Sequence, residues 1–355
     1  MRTKSLLLGS VAFFAAHSAA SAADPVVVVE PTASYVEVCD AFGSGYFYIP
    51  GGETCLSLSG YVRFQVEAVY GEAESWNVYT KAHLAISSKT DTELGILTGD
   101  IELNAYAYSG GNDNLLEPGG SVVELDTTYL ALGGFQAGYF TSYWDEDLIG
   151  EIDHLSGNTK FNSIRYVFLN DGIVAGLSVD ALTPDMVGSD ESKLAKLGVS
   201  GRIGFSVGGV GMKLDAGYDT YNEEGALRLM SAFNLGPGEL NIGANYATGW
   251  NAYANTYTPT GGSWSLDDVY TKWALAAGYT FNVTDKFAVT PSFQWTEADL
   301  PTGYKDEDYW QTGLLFEYTI VDGLVAKLNM EYADLPDSYF GDDLFGGWFR
   351  LERSF

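Results

Sequence analysis

From Leu56 onward the odd and even positions of the chain part company. Leu58, Val62, Phe64 and Val66 alternate with Ser57, Ser59, Tyr61, Arg63, Gln65 and Glu67. A period of two marks an extended strand with one apolar and one polar face. The division recurs at Val199, Ile203, Phe205 and Val207 against Ser200, Arg202 and Ser206. It returns at Leu324, Ala326, Leu328 and Met330 against Lys327, Asn329 and Glu331. Such runs are about ten residues long, the length a tilted strand needs to cross a bilayer.

Two kinds of connection alternate between the runs. Tight ones fall at Thr90-Asp91-Thr92, Gly133-Gly134, Asn170-Asp171-Gly172, Gly208-Gly209, Gly236-Pro237-Gly238, Thr284-Asp285 and Val321-Asp322-Gly323. Their Gly and Asx residues accept the positive φ that hairpin turns require. Longer polar ones lie near 109–123, 145–160, 183–195, 250–271 and 334–345, with shorter members near 71–75, 220–224 and 300–305. Seven tight turns and eight longer loops join sixteen strands, which predicts an all-β, antiparallel transmembrane β-barrel over 56–355, its short turns periplasmic and its long loops extracellular.

Aromatic placement agrees. Trp76, Trp273 and Trp310 share the apolar parity of their strands just after long loops, while Phe205, Phe233, Phe281, Phe287 and Tyr318 hold that parity near tight turns. Two aromatic belts separated by aliphatic residues match the two interfaces of a bilayer. A large soluble all-β domain would hold aromatics in its core, but it leaves the turn-loop alternation unexplained. The final run, with Phe349, Leu351 and Phe355 on one face and Arg350 and Glu352 on the other, is the expected sixteenth strand, closing the sheet so that no edge meets hydrocarbon.

The first residues carry Arg2 and Lys4, an apolar stretch from Leu6 to Ala16, and the small residues Ser18 to Ala23 before Asp24-Pro25. That order predicts a secretory signal peptide over 1–23, cut after Ala22 or Ala23. No later segment has the length and continuous apolarity of a spanning helix. Removing Arg2 and Lys4 leaves 16 basic against 47 acidic residues, a net charge of −31. Nucleic-acid phosphates and anionic lipid both require a basic face, so neither is an expected partner by charge. Cations are favoured instead.

Tyr35 to Pro50 (YVEVCDAFGSGYFYIP), with Glu53-Thr54-Cys55-Leu56 and Ser59-Gly60-Tyr61-Val62-Arg63, resembles the N-terminus of the alphaproteobacterial general porins. Glu93-Leu94-Gly95 and Leu132 to Gly138 (LGGFQAG) are similar to that family too. The resemblance covers essentially the whole mature chain. It implies a sixteen-stranded barrel in the outer membrane, a homotrimer, and passive diffusion of small hydrophilic solutes and ions.

The resemblance also implies that the third long loop, 145–160, folds into the pore. It carries Asp145, Glu146, Asp147, Glu151 and Asp153. The polar parity of the strands places Arg63, Lys81, Arg165, Arg202, Lys213, Arg228, Lys327 and Arg350 on the lumen side. Acid on the loop opposite base on the wall makes a transverse field that orients polar solutes and resists apolar ones. Lys81, Arg63 and Arg350 belong to neighbouring strands once the sheet closes and form the preferred basic cluster. Ser57 and Ser59 stand where the family often has further basic residues, so a strong anion preference does not follow.

Cys39 and Cys55 sit in the N-terminal segment 24–55 of an exported chain, so a disulfide is expected between them. No cofactor is expected, and two cysteines with no neighbouring histidine do not make a zinc site. His83 and His154 stand in no Ser- or Cys-based nucleophile motif, which disfavours an outer-membrane enzyme such as a lipase. Gly208 to Lys213 lacks the Walker spacing, and 145–156 lacks the ligands of an EF-hand, although the acidic loops leave divalent binding open. A solute-selective channel is the alternative. It would need an aromatic track along the lumen, for which Tyr61, Tyr106 and Tyr108 have the parity without forming a continuous line.

Overall fold

The computed structural model describes residues 37–70, 75–108, 121–146, 148–150, 155, 160–182, 196–254, 258–260, 263–265, 270–299, 307–335 and 343–355. The expected signal peptide, and Asp147, Glu151, Asp153 and His154, lie outside them. A short strand β1 (Tyr46–Tyr48) precedes the first eight long strands: β2 (Cys55–Tyr70), β3 (Ser75–Thr92), β4 (Gly95–Tyr108), β5 (Ser121–Leu132), β6 (Phe135–Thr141), β7 (Lys160–Asn170), β8 (Ile173–Leu182) and β9 (Lys196–Val207). Then come β10 (Val210–Asp219), β11 (Glu224–Leu235), β12 (Gly238–Ala247) and the loop strands β13 (Thr258–Thr260) and β14 (Ser263–Ser265). Five more complete the sheet: β15 (Tyr270–Thr284), β16 (Phe287–Asp299), β17 (Glu307–Val321), β18 (Leu324–Asp334) and β19 (Leu344–Ser354).

Each long strand pairs antiparallel with its sequence neighbours, and β19 returns to β2, so the sixteen long strands form one closed cylinder. Closure leaves no run of unpaired backbone along the sheet, as hydrocarbon demands. At the seam Phe355 and Gly60 exchange both backbone hydrogen bonds, at 3.0 and 3.1 Å. Below that point β2 extends past the end of β19. Strand β1 covers the exposed stretch, with Tyr46 opposite Ser57 and Tyr48 opposite Cys55. The Cys39–Cys55 disulfide fastens this cover to the base of β2.

The tight turns sit where hairpin chemistry predicts, with one shift. Asp171-Gly172 and Gly208-Gly209 each place two successive residues at positive φ (43° and 81°; 60° and 81°), the backbone a two-residue turn needs to follow the strand twist. The first turn lies not at Thr90–Thr92 but at Glu93-Leu94, because β3 continues to Thr92, whose hydroxyl donates to the Gly95 carbonyl. One residue, Asp126, has no partner on β4: the register passes from Glu102–Thr127 to Leu103–Leu125, a bulge that turns an extra side chain toward the lumen.

The two faces separate as the alternation requires. Outward residues such as Leu58, Val62 and Phe64 are about half exposed, whereas inward Gln65, Asn104, Asp180, Asp215 and Gln294 are buried. A continuous apolar exterior over a polar interior is unstable in water and stable in a bilayer. Trp273 faces outward against Tyr246 (4.4 Å between rings), and Trp310 faces outward between Phe293 and Tyr332 (6.0 and 5.4 Å) near the long loops. Near the tight turns Phe205, Phe281 and Tyr318 are exposed and Phe287 stacks on Phe316.

A candidate constriction inside the barrel

The described residues of the connection from β6 to β7, 142–146, 148–150 and 155, turn inward and lie along the inner wall, from β8 as far as β16. Inward-facing glycines make room for it. A Cβ on Gly176 would stand 2.0 Å from the Tyr143 hydroxyl, one on Gly243 2.3 Å from Leu155, and one on Gly278 2.5 Å from the Ile149 carbonyl oxygen. Leu148 and Leu155 are buried with Met230, Ala274 and Ala276, which seats the middle of the loop on β11 and β15. Gly150 comes up against Ser292 of β16.

Four basic residues on β7 to β11 hold the loop. Arg165 donates to the Thr141 carbonyl at 3.0 Å and lies over the Phe140 and Tyr143 rings. Arg202 grips Asp215 with two nitrogens (2.6 and 2.8 Å), the Tyr143 carbonyl at 2.7 Å and the Glu146 carboxylate at 2.5 Å. Lys213 donates to the other Glu146 oxygen. Arg228, 1% exposed, donates to the carbonyls of Trp144 and Glu146. Burial pushes the Glu146 carboxyl up, but the Lys213 and Arg202 cations outweigh it and hold it below the ordinary glutamate range. Of the acids expected on this loop, Glu146 is thus turned to the wall; Asp145 also has polar partners.

A second loop supports the first. Asn251 to Ala254, after β12, are buried, and the Tyr253 ring lies beside Trp144 and Phe161 at 6.0 and 5.6 Å. Its hydroxyl donates to Asp180, which also accepts from Ser163, Ser178 and Ser200. Burial, and then the Asp180 charge, raise the Tyr253 pKa. Gly198 and Gly217 leave the space this ring occupies. Sequence reasoning missed this second buried loop. Its signal was there in two inward glycines, Gly198 of β9 and Gly217 of β10, which stand on the polar parity of their strands where a side chain would fill the lumen.

The facing wall, on β18, β19, β2 and β3, carries the other basic cluster. Arg63 pairs with Glu352 at 2.7 Å and Arg350 donates to Gln65 at 2.7 Å while lying 3.9 Å over Trp348. Lys327 pairs with Glu317. Lys81 instead lies between two rings, 5.7 Å from Tyr61 and 5.1 Å from Tyr106. Among the described residues it has no carboxylate partner within salt-bridge distance. Tyr79, absent from the sequence-based set, joins Tyr106 and Tyr108 (6.1 and 5.7 Å) into one aromatic patch beside it. Tyr79 has the same parity as Lys81, the signal that would have found it.

A closed sixteen-stranded antiparallel cylinder with an apolar exterior, a polar lumen and an inward loop is an outer-membrane channel of the porin type. The chain belongs to the porin subfamily, whose family model matches residues 24–348. It is similar to outer membrane protein IIIA of Rhizobium leguminosarum bv. viciae, 36% identical over 370 residues covering 98% of this chain and 93% of the relative. Porin Omp2b of Brucella canis is 31% identical over 399 residues, covering both chains completely. Among solved structures, the outer membrane channel DcaP of Acinetobacter baumannii shares the fold at 16% identity and a TM-score of 0.67, over 87% of this chain and 99% of that one.

Proposed function

We propose that the protein forms a water-filled pore for passive diffusion of small hydrophilic solutes and ions, narrowed by the loop between β6 and β7 and exported by its first 23 residues. The observation that carries this reading is the loop seated along one inner wall while Arg63, Lys81, Arg350 and the Tyr79 patch face it from the other. Arg165 and Arg202 act as anchors that keep the loop in place. Asp145, Asp147, Glu151 and Asp153 give the loop its negative charge, and an acidic loop with a basic facing wall makes a field that favours polar solutes with aligned dipoles. The chain acts as a channel and not as an enzyme.

The assembly we propose is a homotrimer in the outer membrane. Support comes from the outward faces of β4 and β5, where Leu97, Ile101, Val123, Leu125 and Leu130 are aliphatic and exposed and no aromatic belt interrupts them. Gly243, by contrast, faces inward under Leu148 and Leu155 and takes no part in such a contact. Recording from purified protein in planar bilayers tests the function: large ohmic steps with weak solute block are expected, and sealed membranes would refute it. The tyrosine patch favours a second reading, a channel with a saccharide preference, which saturable block by one sugar would establish.

A further inference from the structure

We propose that His83, Glu102 and Asp126 form a binding site for a divalent transition-metal cation on the lumen wall. The three residues come from adjacent strands β3, β4 and β5, and their ligating atoms lie within 4.8 Å of one another. His83 Nε2 is 4.0 Å from Glu102 Oε2, and Nδ1 is 4.0 Å from Asp126 Oδ2. Nδ1 also lies 3.0 Å from Asn104 Oδ1. An amide oxygen accepts only, so the tautomer that donates from Nδ1 to Asn104 leaves on Nε2 the lone pair a metal needs. Donation of the second ring N–H to a fixed acceptor is the usual support of a metal-bound histidine. Asn104 is 2% exposed, and Tyr61 stacks on the imidazole at 5.0 Å, so the ring is held on both counts.

Two further observations point to a ligand. The bulge in β5 turns Asp126 toward the lumen beside His83, and bulges commonly re-aim side chains at functional positions. The Thr127 hydroxyl, on a residue 7% exposed, directly opposite Glu102 and next to Asp126, is buried and has no hydrogen-bond partner among the described residues. A water bound to a cation at this site would satisfy it. One nitrogen and two carboxylates suit zinc or a neighbouring transition ion better than magnesium or calcium, which prefer all-oxygen shells. Lys160, the residue that brings the constriction loop back into the wall, donates to Asp126 and competes with the cation. An occupied site therefore adds positive charge to the wall and releases Lys160.

The test is zinc binding to the purified protein in detergent, followed by zinc titration of single channels. One ion per protomer is expected, with micromolar zinc lowering the cation preference and equal calcium or magnesium doing nothing. His83→Ala should abolish the effect. Asn104→Leu should weaken binding roughly 10- to 100-fold, the usual loss when a supporting hydrogen bond is removed. Lys160→Met should tighten it, and His154→Ala should leave it unchanged. The heat-shift of each variant on gels checks that the barrel is intact. Wild-type protein that binds no zinc, binding that survives His83→Ala, or equal response to calcium would overturn the proposal. The binding assay needs no conductance, so it fails or succeeds separately from the pore reading.

Discussion

Glu146→Gln removes the charge that joins the constriction loop to the wall while keeping the side-chain shape. Glu146 meets Arg202, whose side chain is 11% exposed, at 2.5 Å, and it also meets Lys213, which is 40% exposed. A buried charged hydrogen bond contributes about 1.5–3 kcal/mol, and a half-exposed pair about 0.2–1 kcal/mol. Glutamine retains one neutral hydrogen bond, so the expected loss is about 2 kcal/mol, or roughly thirty-fold in the ratio of docked to undocked loop. Arg228 and the Leu148–Leu155 contacts remain, so the channel still forms. Single-channel recording should show brief openings to higher conductance that the wild type lacks. The Glu146 pKa is lowered, so its anchoring is complete above the ordinary glutamate value and is lost as pH falls through the depressed one. Wild type in acid should therefore come to resemble the variant at neutral pH, and the variant should show no such acid transition. Identical noise, conductance and pH profile in both proteins would refute the anchoring argument.

Other perturbations read other parts of the structure. Gly278→Ala places a Cβ 2.5 Å from the Ile149 carbonyl oxygen, a backbone atom that must move, so mean conductance should rise and solute exclusion should relax. Lys81→Ala removes a lumen cation that meets only tyrosine rings among the described residues, so the reversal potential in a salt gradient should shift toward cations, by on the order of two-fold in permeability ratio. Reducing Cys39–Cys55, or replacing both residues by alanine, releases a cross-link spanning 16 positions. The loop-entropy account gives a loss of about 3 kcal/mol, read as a lower temperature for the heat-shift on gels with conductance unchanged.

Much of the barrel was legible because its physics is local. Period-two patterning and turn residues act within a few positions, so the strands, the turn sites and the two belts could be read directly. The first turn moved because Asp91 and Thr92 favour turns but also fit the end of a strand. Long-range contacts were harder. Nothing near Glu146 announces Arg202, 56 residues away, and the same acid looked equally suited to face the pore. The inward glycines carried the missing information: Gly176, Gly198, Gly217, Gly243 and Gly278 each break the polar parity of a strand where a loop presses on it. Asp126 was hidden for a different reason, since a bulge shifts the register and moves a residue onto the opposite face from the one counting predicts.

The central claim is that one face of each strand meets lipid and the other meets water. Single cysteines at 81, 82, 83 and 84 of β3 test it directly, because Lys81 and His83 point inward while Ala82 and Leu84 are exposed on the outer surface. In protein reconstituted into bilayers, a charged, membrane-impermeant thiol reagent should label positions 81 and 83 and spare 82 and 84. Equal labelling at all four, or labelling only at 82 and 84, would contradict the account.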